Sequence, residues 1–320
     1  MNKLLATGLG LALGTSALLA QAAEPFPTKP IRMIVPYPAG GSTDQLARAI
    51  QQPMSDILGQ PIIVENKPGA GGTLGTDAAA KSPADGYTLV FGNTGPNAVV
   101  SLMRKVPYDL VTDLQPISTV VTVPMVLAVP TEGGPADLKA FLAQARAKGN
   151  AWNFGSVGVG SASHLTGAYL NELAGTAMEH VPYNGGAPMI TAFGGGQLQA
   201  AFVTGLDGAA MVRAGKVRYI GVGTPQRTDV LPGLPAIAEQ VPGFKSVVWF
   251  GVLAPKGLPP EVAAKLHAAI VQAVNKPDVR KLFLDRNVEP HTSTPEELAQ
   301  LIKAERDQWS PIIKKYKIEM

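Results

Sequence analysis

Residues 31–44 of the chain read IRMIVPYPAGGSTD, a largely apolar run followed at once by a proline- and glycine-rich loop. The apolar residues predict a buried strand over 31–37, and the spacing of apolar residues from 43 to 58 predicts a helix with one apolar face. Ser42 or Thr43 can cap this helix, and Asp44 falls in its first turn, where a carboxylate suits the helix dipole. The stretch therefore predicts a strand, a glycine-rich loop and a helix in direct succession.

A second loop of the same kind reads GSVGVGS over residues 155–161, after a short strand signal and before a predicted helix at 162–174. The N-terminus of a helix offers unpaired backbone N–H groups and a partial positive charge, so it binds anions. Two such loops that face each other would clamp an acid. No obvious catalytic group accompanies them, and the pattern favours binding over chemistry.

Strand and helix signals alternate along the chain, which predicts an α/β fold with parallel sheets. The alternation is interrupted by a long, nearly uncharged β-rich run at 114–129, broken at Pro124, and a second apolar strand at 217–224 is the candidate return. We therefore predict two domains: residues 24–122 with 225–320, and an inserted domain at 123–224. Two crossings, near 122–126 and 221–224, would form a hinge beside a cleft.

Composition excludes several classes of function. The chain has no cysteine, so thiol catalysis, disulfides and cysteine–metal sites are excluded, and its formal net charge of +3 carries no basic stripe of the kind that binds nucleic acid. We expect neither a cofactor nor a metal. No H-E-x-x-H pattern occurs, and the glycine-rich residues 69–75 lack the spacing of a dinucleotide or Walker loop.

The first 23 residues have the features of a cleaved export signal. Lys3 precedes an apolar stretch at 4–19, and Ala20-Gln21-Ala22 has the A-x-A form of a cleavage site. The alternative, a single membrane anchor, needs about 20 apolar residues, and the stretch at 4–19 is shorter than that. The pattern predicts cleavage near residues 22–23 and export, to the periplasm if the source has an outer membrane.

Several stretches then carry a family resemblance: KPIRMIVPYPAGGSTD at 29–44, VENKPGAGG at 64–72, PADGYTL at 83–89, HVPY at 180–183, AGKVR at 214–218 and WFG at 249–251. In this order the sequence resembles the tripartite tricarboxylate transporter receptors, also called Bug-type periplasmic binding proteins. The resemblance implies a two-domain type II periplasmic-binding-protein fold with a Venus-flytrap cleft. It implies a small carboxylate ligand, usually a mono- or dicarboxylate, and a membrane permease as partner. Because catalytic motifs are missing, we expect a receptor, and a monomeric one, rather than an enzyme; linear and aromatic acids both fit the predicted clamp.

The candidate ligand-binding residues lie at the ends of the predicted strands and the starts of the following helices: Tyr37, Ala39, Gly40, Ser42, Thr43, Asp44, Asn93, Thr94, Ser156, Gly158, Ser161, His164, Tyr183, Thr204 and Asp207. Two roles stay open at this point, because Asp44 and His164 could orient their loops or contact the ligand. The family often has an acidic residue and an amide where this chain has Val203 and Thr204. Asp207, on the next turn, is the candidate replacement.

Two other functions fit parts of the pattern. A sensory receptor of the same fold would pass ligand occupancy to a membrane sensor kinase. A secreted hydrolase would use Ser156 as its nucleophile, but Phe154 stands where the G-x-S-x-G motif requires its first glycine.

Overall fold

The computed structural model describes residues 26–183 and 186–319. The predicted export signal at 1–23 lies outside the described residues. Within the described part of the chain, no helix is both long enough and apolar enough to span a bilayer.

The N-terminal part of the chain forms three parallel strands with helices between them. Strand β1 pairs with β2 on one side and β3 on the other, with Ile31 opposite Ile62 and Arg32 opposite Thr88. The elements in order are β1 (Ile31–Val35), α1 (Ser42–Leu58), β2 (Ile62–Asn66), α2 (Thr73–Ala80) and β3 (Thr88–Asn93). A single π-helical turn, Gly95–Val99, follows β3 directly.

Strand β4 (Leu114–Pro130) is shared by both halves of the molecule. Its first part pairs antiparallel with β9 as far as Pro124, and its second part, from Met125 on, pairs with β7 and β8. The long uncharged run of the sequence is thus one strand that crosses between the halves, and the predicted α/β architecture with two crossings is confirmed.

The inserted half repeats the pattern of parallel strands and helices. Its strand β5 lies between β6 and β7, with Phe154 opposite both His180 and Ala200. The elements are α3 (Leu138–Lys148), β5 (Asn153–Ser156), α4 (Ala162–Ala174), β6 (Glu179–Pro182), α5 (Gly186–Gly194), β7 (Ala200–Thr204), α6 (Gly205–Arg213) and β8 (Val217–Val222).

The C-terminal part returns to the first half. Strand β9 lies between β3 and β4, antiparallel to both, and α7 packs against α1. The elements are β9 (Val247–Pro255), α7 (Pro260–Asn275), α8 (Pro277–Leu284), β10 (Glu289–Pro290) and α9 (Pro295–Lys315).

The return crossing lies later than residues 217–224 suggested. Strand β8 pairs with the second part of β4. Its last residue, Val222, also bridges to Ala236, and the N–H of Val222 donates to the carbonyl of Pro235 at 2.9 Å, so the segment after β8 stays with the inserted half. Gly223 then bridges both crossings: its N–H donates to Met125 O, and its carbonyl accepts from Ser246 N. A Cβ at position 223 would collide with the carbonyl of Ser246, so only glycine allows this approach. We propose the boundary after Ser246.

Candidate ligand-binding cleft

The first glycine-rich loop leaves the start of α1 open. Gly41, in extended conformation, is the N-cap and supplies no side chain, so neither Ser42 nor Thr43 caps the helix. The first intrahelical bond runs from Gln45 N to Gly41 O at 2.9 Å, which leaves the N–H groups of the three preceding residues without partners inside the helix. Backbone donors and two hydroxyl side chains therefore meet at one helix end.

Asp44 holds this loop in place. Its carboxylate accepts hydrogen bonds from Gly40 N, the Asn66 amide and the Arg48 guanidinium, all at 2.9 Å. Burial alone would raise the pKa of the Asp44 carboxyl, but these three donors and the Arg48 charge outweigh it and lower the pKa below its usual 3.8. With its negative charge neutralised by Arg48, Asp44 orients the loop without repelling an anion at the helix end.

Tyr37, Asn93 and Thr43 form a polar network beside the loop. The Tyr37 hydroxyl donates to Asn93 Oδ1 at 3.3 Å, and Asn93 Nδ2 donates to Thr43 Oγ1 at 3.3 Å. Burial, partly offset by the Asn93 bond, raises the pKa of Tyr37 to about 12, so its hydroxyl keeps its proton. Thr94 has a different environment, because its hydroxyl donates to the buried carboxyl of Glu305.

Most polar side chains of the second loop form hydrogen bonds within the loop or with the residues next to it. The buried Ser156 hydroxyl accepts from Gly158 N at 3.2 Å and lies 2.6 Å from His180 Nε2. Ser161 is the N-cap of α4: its hydroxyl accepts from His164 N at 3.3 Å and donates to Gly158 O at 2.6 Å. These bonds shape the loop and leave the backbone at the start of α4 as its free donors.

Two stacked histidines support the second loop. The rings of His164 and His180 are 3.5 Å apart and nearly parallel, and Gly160 N donates to His164 Nδ1 at 3.1 Å. Burial lowers the pKa of His164 to about 4, and burial together with His164 lowers that of His180 to about 3, so both rings are neutral. His164 orients the loop, and His180 is a contributor that sequence reasoning missed.

A third helix end, that of α6, faces the first loop. Thr204 is its N-cap and accepts from Asp207 N at 3.0 Å. Asp207 Oδ2 accepts from the Thr204 hydroxyl at 2.7 Å and, from the other half of the molecule, from Ser42 Oγ at 3.2 Å. Burial raises the pKa of the Asp207 carboxyl, and the two hydroxyl donors offset this only in part.

The two glycine-rich loops were expected to face each other directly, but the contact across the cleft is made by another helix end. Among the described residues, no hydrogen bond links the loop at 38–44 to the loop at 155–161, and the bond across the cleft is that of Ser42 with Asp207. The α6 turn reaches the first loop because β7, which precedes it, is the strand next to β4 in the sheet, whereas β5, which precedes the second loop, lies one strand farther away. Tyr183 flanks the second loop, with its N–H on Ser156 O at 3.0 Å.

The Ser156–His180 pair differs in two respects from the arrangement that activates a serine in hydrolases. The Ser156 side chain is fully buried and also donates to Gly158 O at 3.0 Å. Among the described residues, no carboxylate hydrogen-bonds to His180 to orient it as a base.

Known proteins resemble this chain over nearly its whole length. Residues 46–318 match the family described as the tripartite tricarboxylate transporter family receptor. BugT of Bordetella pertussis is 35% identical over 318 residues, covering 98% of this chain and 97% of BugT. The protein of the tcbD-tcbE intergenic region of Pseudomonas sp. strain P51 is 36% identical over 313 residues, covering 97% and 93% of the two chains.

Solved structures share the fold over nearly the whole chain. A periplasmic transporter is 38% identical with a TM-score of 0.84, covering 92% of this chain and 99% of its own. MatC from Rhodopseudomonas palustris with bound malate is 32% identical, with a TM-score of 0.80 and coverage of 90% and 100%. R. palustris Rpa4515 with adipate is 29% identical, with a TM-score of 0.85 and coverage of 92% and 99%. The predicted fold class is that of these solute-binding proteins.

Proposed function

We propose that this chain, which belongs to the tripartite tricarboxylate transporter receptor family, binds a small mono- or dicarboxylate in the cleft between its halves and delivers it to a membrane permease. The observation that carries the proposal is the open start of α1, where unpaired backbone N–H groups and the Ser42 and Thr43 hydroxyls meet opposite the start of α6. The malate bound to MatC and the adipate bound to Rpa4515 support the ligand class.

The proposed ligand carboxylate lies at the N-terminus of α1, where Arg48 offsets the charge of Asp44. Hydrogen bonds from donors to a charged acceptor contribute about 1.5–3 kcal/mol each. Four or more of them, less the costs of closure, are compatible with micromolar affinity, about −8 kcal/mol. Aromatic carboxylates remain within this ligand class.

The candidate residues divide into two groups under this proposal. Those proposed to reach the ligand are Tyr37, Ala39, Gly40, Ser42, Thr43, Asn93, Gly158, Ser161, Tyr183, Thr204 and Asp207. Those that shape the loops through the hydrogen bonds described above are Asp44, Thr94, Ser156 and His164. We further propose that the mature protein begins after the export signal at 1–23, acts in the periplasm as a monomer, and is not an enzyme.

The proposal is tested by calorimetric titration of the mature protein with malate, adipate, succinate and benzoate, with dimethyl adipate as an uncharged control. We expect binding of at least one acid and none of the ester. Ser42→Ala should weaken binding about tenfold, the equivalent of one hydrogen bond to a charged group. Ser42→Asp should abolish it, because a new carboxylate would stand at the helix end.

Ser310→Ala, at a half-buried position on α9, is the matched control and should bind like the wild type. Folded protein that binds none of the acids would refute the proposed ligand class. Wild-type affinity in Ser42→Asp would refute the assignment of the carboxylate to the start of α1.

A further inference from the structure

Asp207 occupies an unusual position for an acidic side chain, because it lies in the cleft where an anion is proposed to bind. Its Oδ2 accepts from Thr204 Oγ1 within its own half and from Ser42 Oγ of the other half. Its Oδ1 accepts no hydrogen bond from any described residue. The same Ser42 hydroxyl is a proposed donor to the ligand, so the Asp207 carboxyl and the ligand carboxylate would lie within reach of one hydroxyl group.

Among the described residues, no element around Asp207 provides an ion pair for it. Strands β4 and β7 and helix α5, which pack against α6, contain no charged residue. On β8, Arg218 donates to carbonyls of residues 131–135, and the Tyr219 hydroxyl donates to Gly205 O at 3.3 Å. Arg213 is at the far end of α6, and on α1 Arg48 is paired with Asp44.

One further segment of the first half approaches this helix end. The Asn287 side chain lies close enough to Gly205 that a Cβ there would come within 3.3 Å of it. The same turn carries Asp285 and Arg286, of opposite charge, and Asp285 is paired with Lys281. No described basic side chain forms an ion pair with Asp207, so its charge is stabilised by two hydroxyl groups and by the N-terminal end of α6.

Two carboxylates that share a donor in a partly buried site do not both stay ionised, and one of them binds a proton. Resting on the proposed function, we propose that this receptor takes up one proton at Asp207 when it binds a carboxylate, so that it binds the anion more tightly at lower pH. The proton comes from solvent and stays on Asp207. The neutral Asp207 then donates a hydrogen bond to a ligand oxygen. Burial, which already raises the pKa of Asp207, acts in the same direction.

The test uses adipate, whose two carboxyls are both ionised above about pH 6.5, so that the probe itself does not titrate. Titrations of the mature protein in buffers with different ionisation heats count the protons taken up, and repeats from about pH 6.5 to 8.5 give the pH dependence of affinity. We expect uptake of up to one proton and a loss of affinity of up to tenfold for each pH unit. Asp207→Asn should abolish the uptake and flatten the pH dependence.

The matched control is Asp307→Asn, which removes an exposed carboxylate of α9 paired with Lys303 and should behave like the wild type. Adipate binding without proton uptake by the wild-type protein would overturn the proposal and leave the proposed function intact. Uptake that persists in Asp207→Asn would also overturn it. Failure of every acid to bind at any pH would refute the proposed function itself. A wild-type protein that binds adipate and takes up no proton overturns the proposal even if the variant does not fold.

Discussion

Glu305 on α9 is a fully buried carboxyl, and its replacement by glutamine should remove most of the pH dependence that this group gives to stability. Thr94 Oγ1 donates to Glu305 Oε1 at 3.2 Å, and Trp249 Nε1 donates to Oε2 at 3.0 Å. Burial raises the pKa of Glu305 from 4.5 to about 8, although both donors and Lys245 lower it. The neutral acid fits the site once the Thr94 hydroxyl turns from donor to acceptor: the Glu305 O–H then donates to Thr94 Oγ1, while the other oxygen accepts from Trp249 Nε1.

The sign and size of the effect follow from linkage. Between pH 4.5 and about 8 the native state keeps a proton that the unfolded chain has released, so stability falls as the pH rises through this window. At roughly 1.4 kcal/mol per pH unit, the complete titration lowers the free energy of unfolding by about 5 kcal/mol. Glu305→Gln stays neutral and preserves both hydrogen bonds, so it should not show this loss.

Urea unfolding followed by tryptophan fluorescence, at intervals from about pH 5 to 9, measures the difference between the two proteins. We expect similar stabilities near pH 5 and a growing advantage for Glu305→Gln up to about pH 8, with no further change above it. Glu132→Gln, at an exposed position, is the control for the loss of one carboxylate. A stability difference between wild type and Glu305→Gln that does not change with pH would refute the reasoning.

Two further predictions concern the packing behind the loops. Gly92→Ala should lower the free energy of unfolding in urea by about 1–3 kcal/mol, because the new Cβ collides with the Asn97 side chain. That side chain is held in place, since its Oδ1 accepts a hydrogen bond from Asn93 N. The control is Gly194→Ala, where a Cβ makes only an ordinary contact and stability should not change. His180→Phe should make the stability of the protein less sensitive to acid. The pKa of His180 is lowered to about 3 in the native state, so below pH 6.5 the unfolded chain binds a proton that the native state does not, and stability falls with the pH. A urea midpoint that falls as much in the variant as in the wild type between about pH 6.5 and 4.5 would contradict this.

Much of the fold could be predicted from local signals. The alternation of strands and helices and the long uncharged run that became β4 are properties of neighbouring residues, so the sequence carries them directly. The position of the return crossing is not local. It depends on the hydrogen bonds of Val222 with Pro235 and of Gly223 with Ser246. The proline- and glycine-rich sequence that separates these partners does not predict either bond.

The site was predictable to the extent that it consists of strand ends and helix starts. The position of Asp44 in a first turn left two roles open, and the hydrogen bond that its carboxylate accepts from Gly40 N is a contact that orients the loop. The partners of Ser42 and Ser156 could not be read from spacing. Asp207 lies 165 residues from Ser42, and His180 reaches Ser156 through the parallel register of β6 with β5, which places it opposite Phe154.

The contacts between the two halves differ in kind on the two sides of the molecule, and this favours one direction of movement. On the side of α9, the Tyr169 and Trp309 rings lie 5.5 Å apart, and Lys315 pairs with Glu172 on α4 at 2.5 Å. On the cleft side, the hydrogen bond that crosses is that of Ser42 with Asp207, and water can replace it at a net cost of only about 0.5–1.5 kcal/mol. Separating the half-buried Tyr169 ring from the buried Trp309 ring would expose apolar surface, which costs more. We therefore expect the cleft to open around a pivot near α4 and α9, with the start of α1 moving away from the start of α6.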